Sequence, residues 1–145
     1  RYDPFIMEEV LGMIQNDIKK VKATRVVIHT TTNFTIYIKD LAEIRRTMVK
    51  LYDVLKLNGC TSLLICESPS GGTAISRNGV VEFVVDGVIR LRKVLMKDQF
   101  INVINIWKLR GARHSNKLHV YEIRDDGFVV YPEKTVDMSQ VKIYT

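Results

Sequence analysis

Arg25-Val26-Val27-Ile28 is a short β-branched run with its one charge at the head, and it is followed by the polar stretch His29-Thr30-Thr31-Thr32-Asn33. Such a run reads as a strand buried on both faces, the habit of parallel sheets. Before it, Asp3-Pro4 is a helix start, with Asp as the cap and Pro at the first helical position. Phe5, Ile6, Val10, Leu11, Met13, Ile14, Ile18 and Val21 then recur at helical spacing, with Glu8 and Glu9 early and Lys19, Lys20 and Lys22 late. That charge order suits the helix dipole. After it, Phe34 to Lys39 reads as a loop or a brief extended piece. Asp40 caps a second helix whose stripe is Leu41, Ile44, Met48, Leu51 and Leu55, and Asn58-Gly59 ends it. Cys60 to Cys66 is a second buried strand. The front half therefore reads helix, strand, helix, strand, the order of a parallel α/β sheet.

Beyond the loop Ser68-Pro69-Ser70-Gly71-Gly72 the pattern changes. Val80 to Val85, Val88 to Met96 and Phe100 to Leu109 are strand-like, punctuated by Gly87 and Lys97-Asp98. Leu118 to Arg124 and Phe128 to Tyr131 flank Asp125-Asp126-Gly127, a strong hairpin signal. With no linker between the halves, the expectation is one continuous sheet: α/β, in part parallel and flanked by helices, running into a C-terminal antiparallel meander. Residues 1–132 would form the domain and residues 133–145 a tail. No internal repeat is evident.

The 145 residues are 46% hydrophobic and 26% charged, enough apolar material for a core and too much for disorder. The net charge of +6 favours polyanionic partners such as nucleotide phosphates, nucleic acid or acidic lipid, and simple solubility accounts for it equally well. Six strand steps hold Cys60 and Cys66 roughly 20 Å apart. A disulfide needs Cα atoms within about 7 Å. The two therefore read as free thiols in a reducing compartment, and a cytoplasmic location is expected. No Cys/His metal spacing occurs, no apolar run approaches a membrane span, and no signal peptide is visible.

Several motifs in order carry a resemblance. Gly79-Val80-Val81-Glu82-Phe83-Val84-Val85-Asp86-Gly87-Val88-Ile89-Arg90-Leu91 is similar to the stretch before the last strands of KaiC-type ATPases. Lys108-Leu109-Arg110-Gly111-Ala112-Arg113-His114 resembles their Lys-Met-Arg-Gly-Thr-x-His signature, and Glu122 to Pro132 resembles their closing hairpin. Ile44-Arg45-Arg46, Cys60-Thr61-Ser62-Leu63-Leu64 and Glu67 match at compatible spacing. The chain thus looks like the C-terminal half of a RecA-type ATPase domain of the KaiC/RadA-like group, over roughly residues 20–132. The resemblance implies a RecA-like core, ATP bound between neighbouring subunits, and a homo-oligomeric ring or filament.

The same resemblance places Lys108 and Arg110 on the ATP of the adjoining subunit, with His114 and Asp125 near its base or sugar. The chemistry fits: alternate strand residues share a face, Lys supplies a point charge and Arg a planar fork of donors. A solvated basic hairpin accounts for the same residues. The resemblance also puts Arg25 to His29 where the family carries its Walker B strand, which normally ends in Asp. An imidazole does not replace a carboxylate beside hard Mg²⁺, so Mg²⁺-dependent hydrolysis is in doubt. Glu67 ends the second strand, where ligands bind in such sheets, as a phosphate sensor or as a cap for the next loop. The loop from Ser68 to Asn78 corresponds to one facing the ring centre, where it could touch DNA or a partner, or simply face solvent. Trp107 and Tyr121 lack a row of exposed aromatics, so no single-strand stacking platform is indicated.

No Gly-x-x-x-x-Gly-Lys-Ser/Thr motif occurs in the chain. The first residue is Arg rather than Met, and the expectation is that the phosphate-loop half lies upstream or has been lost. Three functions stay open: part of a regulatory or recombination-repair ATPase, a non-catalytic interaction scaffold on a degenerate ATPase fold, and a DNA-binding module using the basic surface.

Overall fold

The computed structural model describes residues 4–68, 74–137, 139 and 141–142. The expected Asp3 cap, the Pro69-Ser70-Gly71-Gly72 part of the loop and residues 138, 140 and 143–145 of the expected tail lie outside the described residues. The order is α1 (Pro4–Val21), β1 (Arg25–His29), α2 (Thr32–Thr35), α3 (Leu41–Leu57), β2 (Thr61–Ile65), α4 (Val81–Val84), β3 (Gly87–Met96), β4 (Gln99–Leu109), β5 (Leu118–Arg124), β6 (Gly127–Val136) and β7 (Val141–Lys142). The chain divides into two compact units, the boundary falling between Val85 and Asp86.

In the first unit β1 and β2 pair in parallel, Arg25 opposite Thr61 and His29 opposite Ile65. The Asp40 carboxylate accepts a 2.9 Å hydrogen bond from the Ala42 N–H, giving α3 the cap its sequence requires. At the other end the Gly59 N–H donates to the Lys56 carbonyl at φ +68°, a conformation glycine adopts without steric cost. Ile44, Met48, Leu51 and Leu55 of α3 are buried with Leu11 and Ile18 of α1, and Val26, Ile28 and Leu64 pack against them. Each such side chain contributes about 1.5–3 kcal/mol on burial. Leu41, Met13 and Val21 lie off these stripes and are exposed.

Three expectations fail here. The strands are not buried on both faces: Val27 and Leu63 are each 61% exposed and Ile65 41%. Among the described residues only the helix-facing side has a covering layer. Thr32–Thr35, expected as the polar end of the first strand running into a loop or brief extended piece from Phe34, form a turn of helix in which Thr32 and Thr35 are buried. Val81–Val84, expected as strand, is also a helical turn. Val81 is buried, and the Glu82 carboxylate accepts a hydrogen bond from the Ser76 hydroxyl. Local packing overrides β-branched propensity there.

In the second unit five strands run in the order β6-β5-β4-β3-β7. β3 and β4 form a long hairpin across Lys97-Asp98, with Lys97 at φ +59°. Its register shifts between Val88 and Ile89, so that Trp107 is an extra residue on β4. β5 and β6 pair across Asp125-Asp126, with Arg124 opposite Gly127. The core is Val94, Val103, Leu118 and Val136. The expected single sheet is thus two sheets among the described residues. The expected tail begins inside β6, and β7 adds to the edge of β3, Met96 opposite Val141. Cys60 and Cys66 are free and half-buried.

Candidate functional site

The signature residues gather where β4 ends. Lys108 lies opposite Val88, and the Arg110 N–H donates to the Asp86 carbonyl at 2.9 Å, prolonging the ladder by a residue. Val88 shares a side of β3 with Arg90, so the extra residue at Trp107 turns Lys108 to that side rather than to the side of Ile106. The Trp107 ring packs against the Arg90 guanidinium, 5.5 Å from its centroid. Arg110 also reaches the Asp86 carboxylate at 3.3 Å, with both side chains more than half exposed, at 54% and 55%. Gly111, at φ +75°, then turns the chain away.

The loop that follows has its own order. His114 is half-buried, its Nδ1 3.3 Å from the Ser115 carbonyl. The Ser115 hydroxyl lies 2.7 Å from His119 Nε2 and accepts from the Lys117 N–H at 3.2 Å. Nothing in the sequence marked this Ser–His pair beyond a four-residue spacing. Asp125 is exposed in the β5–β6 turn. The structure therefore brings Lys108, Arg110 and His114 to one end of β5 and leaves Asp125 at the other, roughly 20 Å of strand away.

At the hairpin between β5 and β6 the Tyr131 hydroxyl donates to Glu122 Oε2 at 2.9 Å, and Arg124 Nε donates to the same oxygen at 2.9 Å. The Tyr131 hydroxyl, followed by Arg124, holds the Glu122 carboxyl below its ordinary pKa. Glu122 in return raises the pKa values of Tyr131 and Arg124. The Lys134 ammonium sits over the Tyr131 ring at 4.0 Å.

His29 and Glu67 belong to the first unit, at the carboxyl ends of β1 and β2, and both are exposed. Between them lies a threonine lattice that the sequence reading passed over as a strand end. The Thr31 N–H and hydroxyl both donate to the Ile65 carbonyl, at 2.8 and 3.1 Å. Thr32 Oγ1 accepts from Thr30 Oγ1 at 3.2 Å and from the Glu67 N–H at 3.4 Å. Asn78 Nδ2 donates to Thr35 Oγ1 at 3.0 Å. The run of three threonines after a strand was the available signal. Among the described residues no group of three His, Cys, Asp or Glu could hold a metal ion, and no helix is long and apolar enough to cross a membrane.

Known proteins resemble this chain over most of its length. The family described as "ATPase: KaiC" matches residues 2–135. A UPF0273 protein of Pyrococcus furiosus is 33% identical over 93% of this chain and 53% of its own. The circadian clock oscillator protein KaiC of Parathermosynechococcus lividus is 31% identical over 94% of this chain and 25% of its own. Among solved structures, a KaiC-like protein from Pyrococcus horikoshii OT3 superposes with a TM-score of 0.77 at 32% identity, covering 87% of this chain and 57% of that one. The chain spans about half the length of the curated UPF0273 relatives it matches.

Proposed function

This chain belongs to the KaiC family of ATPases, and from that premise we propose that it is the finger-bearing portion of a nucleotide-linked, homo-oligomeric KaiC/RadA-like module. In this reading Lys108 and Arg110 of one protomer reach the triphosphate of an ATP held by its neighbour. By the resemblance His114 and Asp125 line that nucleotide near its base or sugar, Asp125 from the far end of β5. The cellular role is regulation or recombination and repair in the cytoplasm, and DNA is a further partner.

One observation carries the reading: the Arg110 guanidinium is held at the end of β4 by a pair that solvent screens. Exposed pairs contribute about 0–1 kcal/mol, whereas a charge-assisted bond to phosphate contributes about 1.5–3 kcal/mol, so an arriving phosphate outcompetes Asp86. The residues present do not fit Mg²⁺. His29 offers nitrogen where a hard cation prefers oxygen.

Arg110→Ala is expected to weaken ATP-dependent assembly about 10–100-fold, with the circular-dichroism spectrum unchanged. Sedimentation with and without ATP measures it, and unchanged assembly together with unchanged ATP affinity sinks the reading. A second reading, a non-catalytic scaffold on the same fold, is favoured by the imidazole at His29. A filter assay showing no ATP retention selects it.

A further inference from the structure

The β3–β4 hairpin reverses the usual placement of polar and apolar residues. Ile89, Leu91 and Phe100 share one side by alternation and register, and all are exposed, so that side is an open apolar patch. The sheltered side, next to the fully buried Val103, carries Arg90, Arg92 and Asn105. An antiparallel sheet with one wet side ordinarily turns its polar residues to the water. Arg90 and Asn105 are each 8% exposed and stand directly opposite one another. Arg92 follows two residues on, opposite Val103. Side chains in that arrangement have Cβ atoms within roughly 5–8 Å of each other. Two guanidinium groups that close, and partly withdrawn from water, repel unless an anion lies between them. The β3 and β4 residues on this side include Lys108 as a further cation and no Asp or Glu. Two polar atoms here are buried with no hydrogen-bond partner among the described residues, Arg92 Nε and Asn105 Oδ1. A buried polar atom left unpaired is costly, and each one calls for an occupant. A half-turn of the Asn105 amide exchanges Oδ1 for Nδ2, and the position then donates as the Arg92 Nε–H does.

We propose that Arg90, Arg92 and Asn105 form a binding site for a phosphate group. The tetrahedral oxyanion lies between the two guanidinium groups and accepts from the Arg92 Nε–H and from the turned Asn105 amide. Bonds from a charged donor to phosphate oxygen are the strong kind, and they relieve the like-charge repulsion at the same time. Trp107, with its ring centroid 5.5 Å from the Arg90 guanidinium, borders the site. The inference rests on buried atoms of β3 and β4 and is independent of the nucleotide contact proposed for Lys108 and Arg110.

Trp107 is the single tryptophan of the chain, so its emission reports on Arg90 directly. Inorganic phosphate and ATP are titrated separately into the full chain at constant ionic strength, with chloride as the reference anion. Phosphate is expected to change the emission saturably and to raise the melting temperature, as a ligand of the folded state does. Arg92→Gln and Asn105→Leu are each expected to weaken that response about tenfold or more. Arg92 is only half-buried and supplies the variant that keeps the fold. Arg110→Ala should leave the phosphate response unchanged, which separates this site from the nucleotide contact. An ATP response that Arg92→Gln also weakens identifies the phosphate group of a nucleotide as the source, and a response to inorganic phosphate alone identifies the free oxyanion. The proposal is overturned if chloride reproduces the response, if both variants respond as wild type does, or if phosphate leaves emission and melting unchanged, in which case the two orphan atoms hold water.

Discussion

At Glu122 two neighbours act on one carboxylate, and the consequence is a pH dependence with a definite sign. The Tyr131 hydroxyl and Arg124 lower its pKa, so its contribution to stability is present above the ordinary carboxylate range and is lost as pH falls through the depressed folded value. Tyr131 is shifted the other way by the same bond, so its contribution is lost as pH rises through its raised value. A carboxyl NMR titration should place the Glu122 midpoint below that of an unpaired glutamate, and Glu122→Gln should flatten the acid limb of the hairpin's stability. A midpoint at the ordinary value would disprove the network. Residues of this kind were half legible. Lys108 and Arg110 stood out because their segment resembles a KaiC-type signature, whereas the Glu122–Arg124–Tyr131 set depends on which strands pair and in what register.

Among the elements, α3 follows most directly from its residues. Asp40, the four-residue stripe from Ile44 to Leu55, and Asn58-Gly59 each have a local cause for a start, a buried face and a stop. Leu51 is fully buried, and Leu51→Ala is expected to cost about 2–5 kcal/mol, read as a lower urea midpoint with an unchanged slope. A loss under 1 kcal/mol would mean that the stripe is not the core. Val80 to Val85 differs from the expected strand because four valines among six residues carry no helical signal of their own. Its turn depends on contacts remote in sequence. The strands β1 and β2 were placed correctly but expected to be covered twice. Periodicity reports what a face is suited to, not whether this chain supplies the cover, and Val27 and Leu63 are suited to a cover absent among the described residues.

For the whole molecule, the order of elements was legible and the continuity of the sheet was not. Continuity depended on residues 80–85 extending, and they coil. Charge and patch act together at this scale. The chain carries +6 at pH 7 with an isoelectric point near 9.4, and mutual repulsion opposes association through the open apolar faces. Raising the pH from 7 toward 9.4 should therefore increase light scattering, and added salt at pH 7 should do the same by screening. Scattering that stays flat across that range would show that the faces do not drive association.

The extra residue at Trp107 has a consequence of its own. It acts as a half-step phase slip in a two-beat pattern: every side chain downstream on that strand is transposed relative to those upstream. The orientation of the two cations at the strand's end is therefore set by a count of residues, independent of their identity. Removing one residue there would invert the pair while leaving both charges in place, so the length of that strand tail, not its composition, sets the side on which the cations stand.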